Sequence, residues 1–224
     1  MKKSAMFTKS FGMSFLIALS LASTAAYANQ AKERAIIDAS LSALAHGHDL
    51  SLINAWHARA QTVRDGETYN TNFNSSCGAL IYGYRESEKS IVQSNVTSGP
   101  EFPPHIAAIV LFAEARDPGS AISWKGTFAE NGKVYDAVSI RPSYRGNRDA
   151  AYAPEQIWYF DQLTKFPKRV KFVGKRAGET LFLDDFRPSG DGWLVPYAAN
   201  YSSGSGEKSS YQYSEIALKH EPCP

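Results

Sequence analysis

The sequence predicts a mainly β chain with some α, its strands paired as a curled antiparallel sheet and two helices packed in or against that sheet. Three observations carry this. Beyond Asp117-Pro118-Gly119 a series of turn signals separates short runs that alternate with a period of two, as sequential hairpins do. Aromatic residues make up 12% of the chain, and they suit strands and walls that meet apolar ligands. Two segments abandon the period of two for helical patterns. A closed eight-stranded barrel is the nearest competing architecture, and alternation alone does not separate it from an open sheet.

The first 28 residues read as a secretory signal. Lys2, Lys3 and Lys9 give a basic start, Phe11 to Leu21 is apolar, and Ala26-Tyr27-Ala28 supplies the small-residue site before a cut. The apolar run is too short to span a bilayer, which takes about 20 residues. No Cys follows the cut, so lipid is not expected there. The expectation is an exported, periplasmic chain of Asn29 to Pro224, folded as one domain with a sizeable core. Removing the three lysines of the signal from the +2 of the whole chain leaves −1. A field that weak points neither to nucleic acid nor to an anionic membrane surface.

Gln30 to Ala45 is expected to be helical. Ile37, Leu41 and Leu44 fall on one stripe, and Gly47 follows where a helix stops. From Trp56 the period becomes two: Trp56, Ala58, Ala60 and Thr62 face one way, His57, Arg59, Gln61 and Val63 the other. Asp65-Gly66 marks a turn, Tyr69 to Ser76 is a weak, Asn-rich strand candidate, and Gly78 to Tyr84 a better one. Pro103-Pro104 introduces a second helix over Ile106 to Ala115, apolar nearly all round and therefore buried on most sides. Its bland role is a core helix; its sharper role is to occupy or gate a cavity.

Hairpins then follow in order. Ser120–Ala129 and Lys133–Arg141 flank Asn131-Gly132, a strong two-residue hairpin signal. Glu155–Phe160 and Arg169–Val173 flank Asp161–Lys168; Thr180–Phe186 and Trp193–Tyr197 flank Pro188–Gly192. Ser209 to Lys219 is the last strand, and the Ser/Gly stretch Ser202–Ser210 is its long hairpin tip.

Constellations that could carry chemistry are few. His46-Gly47-His48-Asp49 has metal-ligand residue types, but two histidines at i and i+2 diverge on a helix and the glycine suits a surface turn. Gly204-Ser205-Gly206 lacks the spacing of a nucleophile elbow. Asp184 and Asp185, adjacent in a strand, point to opposite faces and cannot share a substrate atom. No phosphate loop or dinucleotide fingerprint occurs. No metal, cofactor or enzymatic activity is therefore expected. The basic cluster Lys165, Lys168, Arg169, Lys171, Lys175 and Arg176 with Phe166, Phe172 and Phe182 could meet an anionic polymer or a lipid headgroup. Alternation of Arg169 and Lys171 with Val170 and Phe172 favours a solvated strand face instead. Cys77 and Cys223, the two cysteines, are expected to pair in an oxidising compartment; two thiols too far apart to meet is the other reading. A bond would close a loop of roughly 145 residues and stabilise by about 4–5 kcal/mol.

The run Trp158-Tyr159-Phe160-Asp161-Gln162-Leu163-Thr164-Lys165-Phe166-Pro167-Lys168-Arg169-Val170-Lys171-Phe172 resembles a hairpin of periplasmic proteins similar to the outer-membrane lipoprotein carrier, the LolA-like family. Leu183-Asp184-Asp185-Phe186 with Gly190-Asp191-Gly192-Trp193-Leu194-Val195-Pro196 is similar to the next hairpin there. Trp124-Lys125-Gly126 with Glu130 to Asp136 resembles an earlier one, and Ala35 to Trp56 the opening helix and first strand. The resemblance implies an unclosed antiparallel half-barrel with helices in its concavity, holding an acyl chain or other apolar ligand. It brings no catalytic residue. Ser143–Pro154 and the Ser/Gly tip depart from the pattern.

The functional expectation is a non-enzymatic carrier or sensor of a hydrophobic or acylated ligand. Trp56, Leu80, Tyr82, Phe112, Trp124, Phe128 and Trp158 are the candidate ligand-binding wall. An envelope protein partner is a further expectation, and the chain is not expected to span a membrane. The rivals are an exported hydrolase, which a metal on His46 and His48 would revive, and a structural partner of an envelope complex. Mass mapping of the protein from a periplasmic extract, without reduction, is expected to give an N-terminus at Asn29 and linked Cys77 and Cys223 peptides. An intact Met1 overturns export by this signal, and free thiols at both cysteines overturn the bond.

Overall fold

The computed structural model describes residues 31–53, 55–75, 82–87, 90–95, 106–142 and 155–219. Helix α1 occupies residues 31–45, and its stripe residues Ile37, Leu41 and Leu44 are all buried. His46 and Gly47 then take positive φ and end it. A short 3-10 turn, Leu50–Leu52, follows, with Asp49 Oδ1 accepting the Ser51 backbone N–H at 2.9 Å. Then come β1 (Ala55–Arg64), β2 (Glu67–Ser75), β3 (Tyr82–Ser87), β4 (Ser90–Asn95) and helix α2 (Ala107–Arg116). The hairpin series comprises β5 (Ala121–Glu130), β6 (Lys133–Arg141), β7 (Gln156–Asp161), β8 (Pro167–Phe172), β9 (Thr180–Pro188), β10 (Leu194–Ser202) and β11 (Lys208–Lys219).

All eleven strands form one antiparallel sheet in the order β4-β3-β2-β1-β11-β10-β9-β8-β7-β6-β5. The order is linear, with β4 and β5 as its edges, so the sheet is an unclosed half-barrel and not the closed barrel. Asp65-Gly66 and Asn131-Gly132 each have positive φ at both positions, the backbone of a two-residue hairpin turn whose twist matches its strands. At the β7–β8 turn Asp161 Oδ1 accepts the backbone N–H groups of Leu163 and Thr164 at 2.9 and 2.8 Å.

One face of the sheet is apolar and both helices lie on it. The continuous core joins Ile37 and Leu41 of α1 and Ala107, Leu111 and Ala115 of α2 to Trp56, Val138, Trp158, Val170, Leu183, Val195 and Leu218. Three bulges keep that face in register. Ser214 is left unpaired in β11, so Ile216 and Tyr213, three apart, are both buried. Lys168 is the extra residue in β8 and Lys125 in β5.

Several expectations are corrected or extended. The Asn-rich stretch is a fully paired strand, β2, because Thr71 and Phe73 supply its buried face and the Thr62 and Thr71 hydroxyls bond at 3.0 Å. Ser90–Asn95, which has no strong strand signal, pairs with β3 as an edge strand. β10 runs on to Ser202, which shortens the Ser/Gly tip. Gly78 to Leu80, Cys77 and Cys223 lie outside the described residues. Leu218, fully buried, and Leu163, 90% exposed, allow a direct check of the core: Leu218→Ala should cost about 3 kcal/mol in urea unfolding and Leu163→Ala close to nothing.

Candidate functional site

Helix α2 sits on the apolar face of the sheet, against the Leu50–Leu52 turn and in polar contact with α1. Its ten residues bury Ala107, Ala108, Leu111 and Ala115, while Phe112 is half-buried. Polar contacts from α1 fasten it at one end. The Arg34 guanidinium donates to the Ala115 carbonyl, where the negative end of the helix dipole favours a cation. Arg116 pairs with Asp38 at 3.3 Å. Glu33 is buried and its Oε2 accepts the Trp124 backbone N–H at 2.8 Å, a donor that edge strand β5 has no neighbouring strand to receive. Lys32 places its ammonium 3.6 Å from the Trp124 ring centroid.

A polar chain runs beneath α2. The Trp158 indole N–H donates to Gln156 Oε1 at 2.9 Å, and Gln156 Nε2 donates to Glu114 Oε1 at 2.9 Å. The indole can only donate, so it fixes which end of the amide faces Glu114. The other carboxyl oxygen, Glu114 Oε2, is buried and has no partner. Burial pushes the carboxyl from its ordinary 4.5 up to about 8, against the opposing effect of the Gln156 hydrogen bond.

The candidate wall residues divide. Trp56, Trp124 and Trp158 lie on the helix-covered face, Trp158 fully buried and Trp56 nearly so, each with an indole N–H turned inward; those of Trp56 and Trp124 have no partner. Phe112 joins them from α2, with the Arg116 guanidinium 5.9 Å from its ring. Phe128 lies on the opposite, outer face, edge-on to Tyr159 at 5.7 Å and 42% exposed. Even spacing from Trp124 predicts a shared face, but the extra residue Lys125, followed by Gly126 at φ +122°, reverses the alternation. Leu80 and the side chain of Tyr82 lie outside the described residues. The residue that sequence reasoning passed over is Glu114, and the signal for it was one acid in an otherwise apolar helix.

The basic cluster resolves into local pairs, those of Lys168 and Arg169 on the outer face and that of Arg176 against the core. Lys168 bonds Asp184 at 2.9 Å and holds that carboxyl below its usual range, and its ammonium lies 5.0 Å from the Phe186 ring. Arg169 pairs with Glu130 at 2.8 Å and stacks 4.1 Å from the Tyr159 centroid. Arg176 pairs with Glu179 over Phe172, whose ring is 4.1 Å away. An open depression of about 800 Å³ lies on the outer face between Val63, Phe182, Asn200, Lys208 and Ser210. His48 rests edge-on against Trp193 at 5.4 Å, and among the described residues no three His, Cys, Asp or Glu side chains converge as metal ligands.

The folded chain loses the Glu114 proton near 8 and the unfolded chain near 4.5. Between those values the folded state binds more protons, and stability falls as pH rises. Urea unfolding between these two pH values should show Glu114→Gln gaining on the native protein, by up to about 1.4 kcal/mol per pH unit. A difference independent of pH overturns the assignment.

No protein-family model matches the sequence, and no curated protein aligns with it. Solved structures do. A LolA superfamily protein from Nitrosomonas europaea superposes with a TM-score of 0.51 at 11% identity, over 85% of this chain and 94% of that one. A domain described as an outer membrane lipoprotein-sorting protein, from Vibrio parahaemolyticus, gives 0.51 at 9% identity, over 84% and 93%. A DUF1329 family protein from Desulfovibrio piger gives 0.49 at 11%, over 85% and 95%. At such identities the likeness is one of architecture: the chain has a LolA-like fold.

Proposed function

We propose that the protein is a periplasmic, non-enzymatic carrier that takes a hydrophobic or acylated ligand between the apolar face of its open sheet and helix α2. The observation that carries this reading is that an unclosed sheet presents a continuous apolar face whose cover includes a ten-residue apolar helix. A sandwich would bury such a face permanently, whereas a short helix on an open sheet can rise to admit an acyl chain beneath it. Trp56, Trp124, Trp158 and Phe112 are the wall that a displaced α2 would uncover. The LolA-like fold supports it, since one neighbour is described as lipoprotein-sorting. No helix among the described residues is long and apolar enough to cross a membrane. Export by the Met1–Ala28 segment and the Cys77–Cys223 bond belong to the same proposal.

Native mass spectrometry of gently purified protein, followed by lipid extraction, tests it. The expected result is co-purifying lipid that is lost or much reduced in Trp124→Ala and Phe112→Ala. A protein that is empty and also fails to take up any fluorescent fatty-acid probe overturns the reading.

A further inference from the structure

We propose that Glu114, as a neutral carboxylic acid, donates a hydrogen bond from Oε2 to the carbonyl oxygen of an ester- or amide-linked acyl group seated under α2. This rests on the carrier reading and names the chemistry of its ligand. The argument begins at Trp158, whose indole N–H can only donate and so commits Gln156 Oε1 to accepting. Gln156 Nε2 must then donate, and it meets Glu114 Oε1 at 2.9 Å. Oε1 is thereby an acceptor, and a proton on this carboxyl resides on Oε2. That oxygen is buried and has no partner in the protein, although an unmet buried donor costs free energy.

Protonation at neutral pH follows from the surroundings. Burial raises the carboxyl to about 8, and the Gln156 hydrogen bond opposes that rise without cancelling it. The charged neighbours on the elements packed around it are engaged elsewhere: Arg116 with Asp38, Arg34 with the Ala115 carbonyl, and Glu155 with Arg141 and Lys125. A buried O–H donor among tryptophans and aliphatic side chains selects an uncharged acceptor attached to an apolar chain. An acyl ester or amide carbonyl fits. A carboxylate would carry charge into the apolar face, and an ammonium needs an acceptor that the neutral acid's O–H does not provide.

The test compares dimyristoyl phosphatidylglycerol with its diether analogue, identical in chains and headgroup but lacking the carbonyls. Each competes against an apolar fluorescent dye on the full-length mature protein. The ester lipid should bind about fivefold more tightly, the net worth of one hydrogen bond. That preference should fade as pH rises through about 8, where an ionised Oε2 faces the carbonyl oxygen. It should persist at that pH in Glu114→Gln, whose amide still donates, and vanish in Glu114→Leu, with folding of both variants checked by circular dichroism. Equal affinity of native protein for ester and ether overturns the proposal while leaving the carrier reading intact. Failure to bind either lipid or the dye at any pH overturns the carrier reading and this proposal with it.

Discussion

The pairing of β1 with β11 is the contact on which the remainder of the structure depends. Without it the chain has two separate antiparallel sheets, β4 to β1 and β11 to β5, and the apolar face is divided between them. The register runs from Ala55 opposite Lys219 to Arg64 opposite Ser209, joining residues more than half the chain apart. It holds its apolar side inward only because the unpaired Ser214 resets the alternation between Ile216 and Tyr213. The far rim is fastened by Arg64 and Glu207 at 3.3 Å, an exposed pair whose weight is small beside the buried strand contacts. Such a long-range seam gives slow folding and a cooperative core at once.

A sheet that does not close leaves one apolar face in need of cover, and the manner of cover sets what the fold can do. α2 contributes small residues, Ala107, Ala108 and Ala115, around a single fully buried Leu111. Small side chains let a helix lie close to a sheet, yet each buries little area, so the helix is held less firmly than one of leucines. Its remaining attachments to α1 are the Arg34 bond to a carbonyl and the Arg116 pair with Asp38, both of which water can replace. The pairing of Glu33 with the Trp124 backbone is different, being buried, and it ties α1 to the edge strand β5. Cover and wall are therefore joined by contacts of unequal strength. On the proposed carrier reading, α1 stays with β5 and α2 is the element that would move to admit a ligand.

How far the fold could be read from sequence follows from what alternation can and cannot record. Asn131-Gly132 and Asp65-Gly66 need positive φ at two adjacent residues, so their hairpins were legible. β2 was only faintly legible because Asn70 and Asn72 alternate with Thr71 and Phe73, its two buried residues among those described. Bulges were not legible at all. One extra residue at Lys125 sends Phe128 to the outer face with Tyr159, and nothing in the spacing announces it. Trp56, Trp124 and Trp158 lie on the helix-covered face, where period-two alternation and an apolar side chain place them, Trp124 on the edge strand. Glu114 was missed because a helix apolar on most sides is read for its apolar residues.

That acid is where local rules and global fold disagree. A carboxyl on the buried side of an apolar helix lowers stability near neutral pH, and a leucine or glutamine at the same position would not. Its neighbours do not neutralise it: Gln156 satisfies one oxygen, Trp158 holds Gln156 in that orientation, and the second oxygen is left without a partner. Foldable sequences avoid a half-satisfied polar network in a core, and where one persists it marks a place the fold alone does not explain. Here it lies on α2, the helix that covers the wall of the proposed ligand space. The cost borne by the empty protein is the same quantity that a ligand carbonyl would recover on entry, so the group that weakens the fold is also the one suited to choose what fills it.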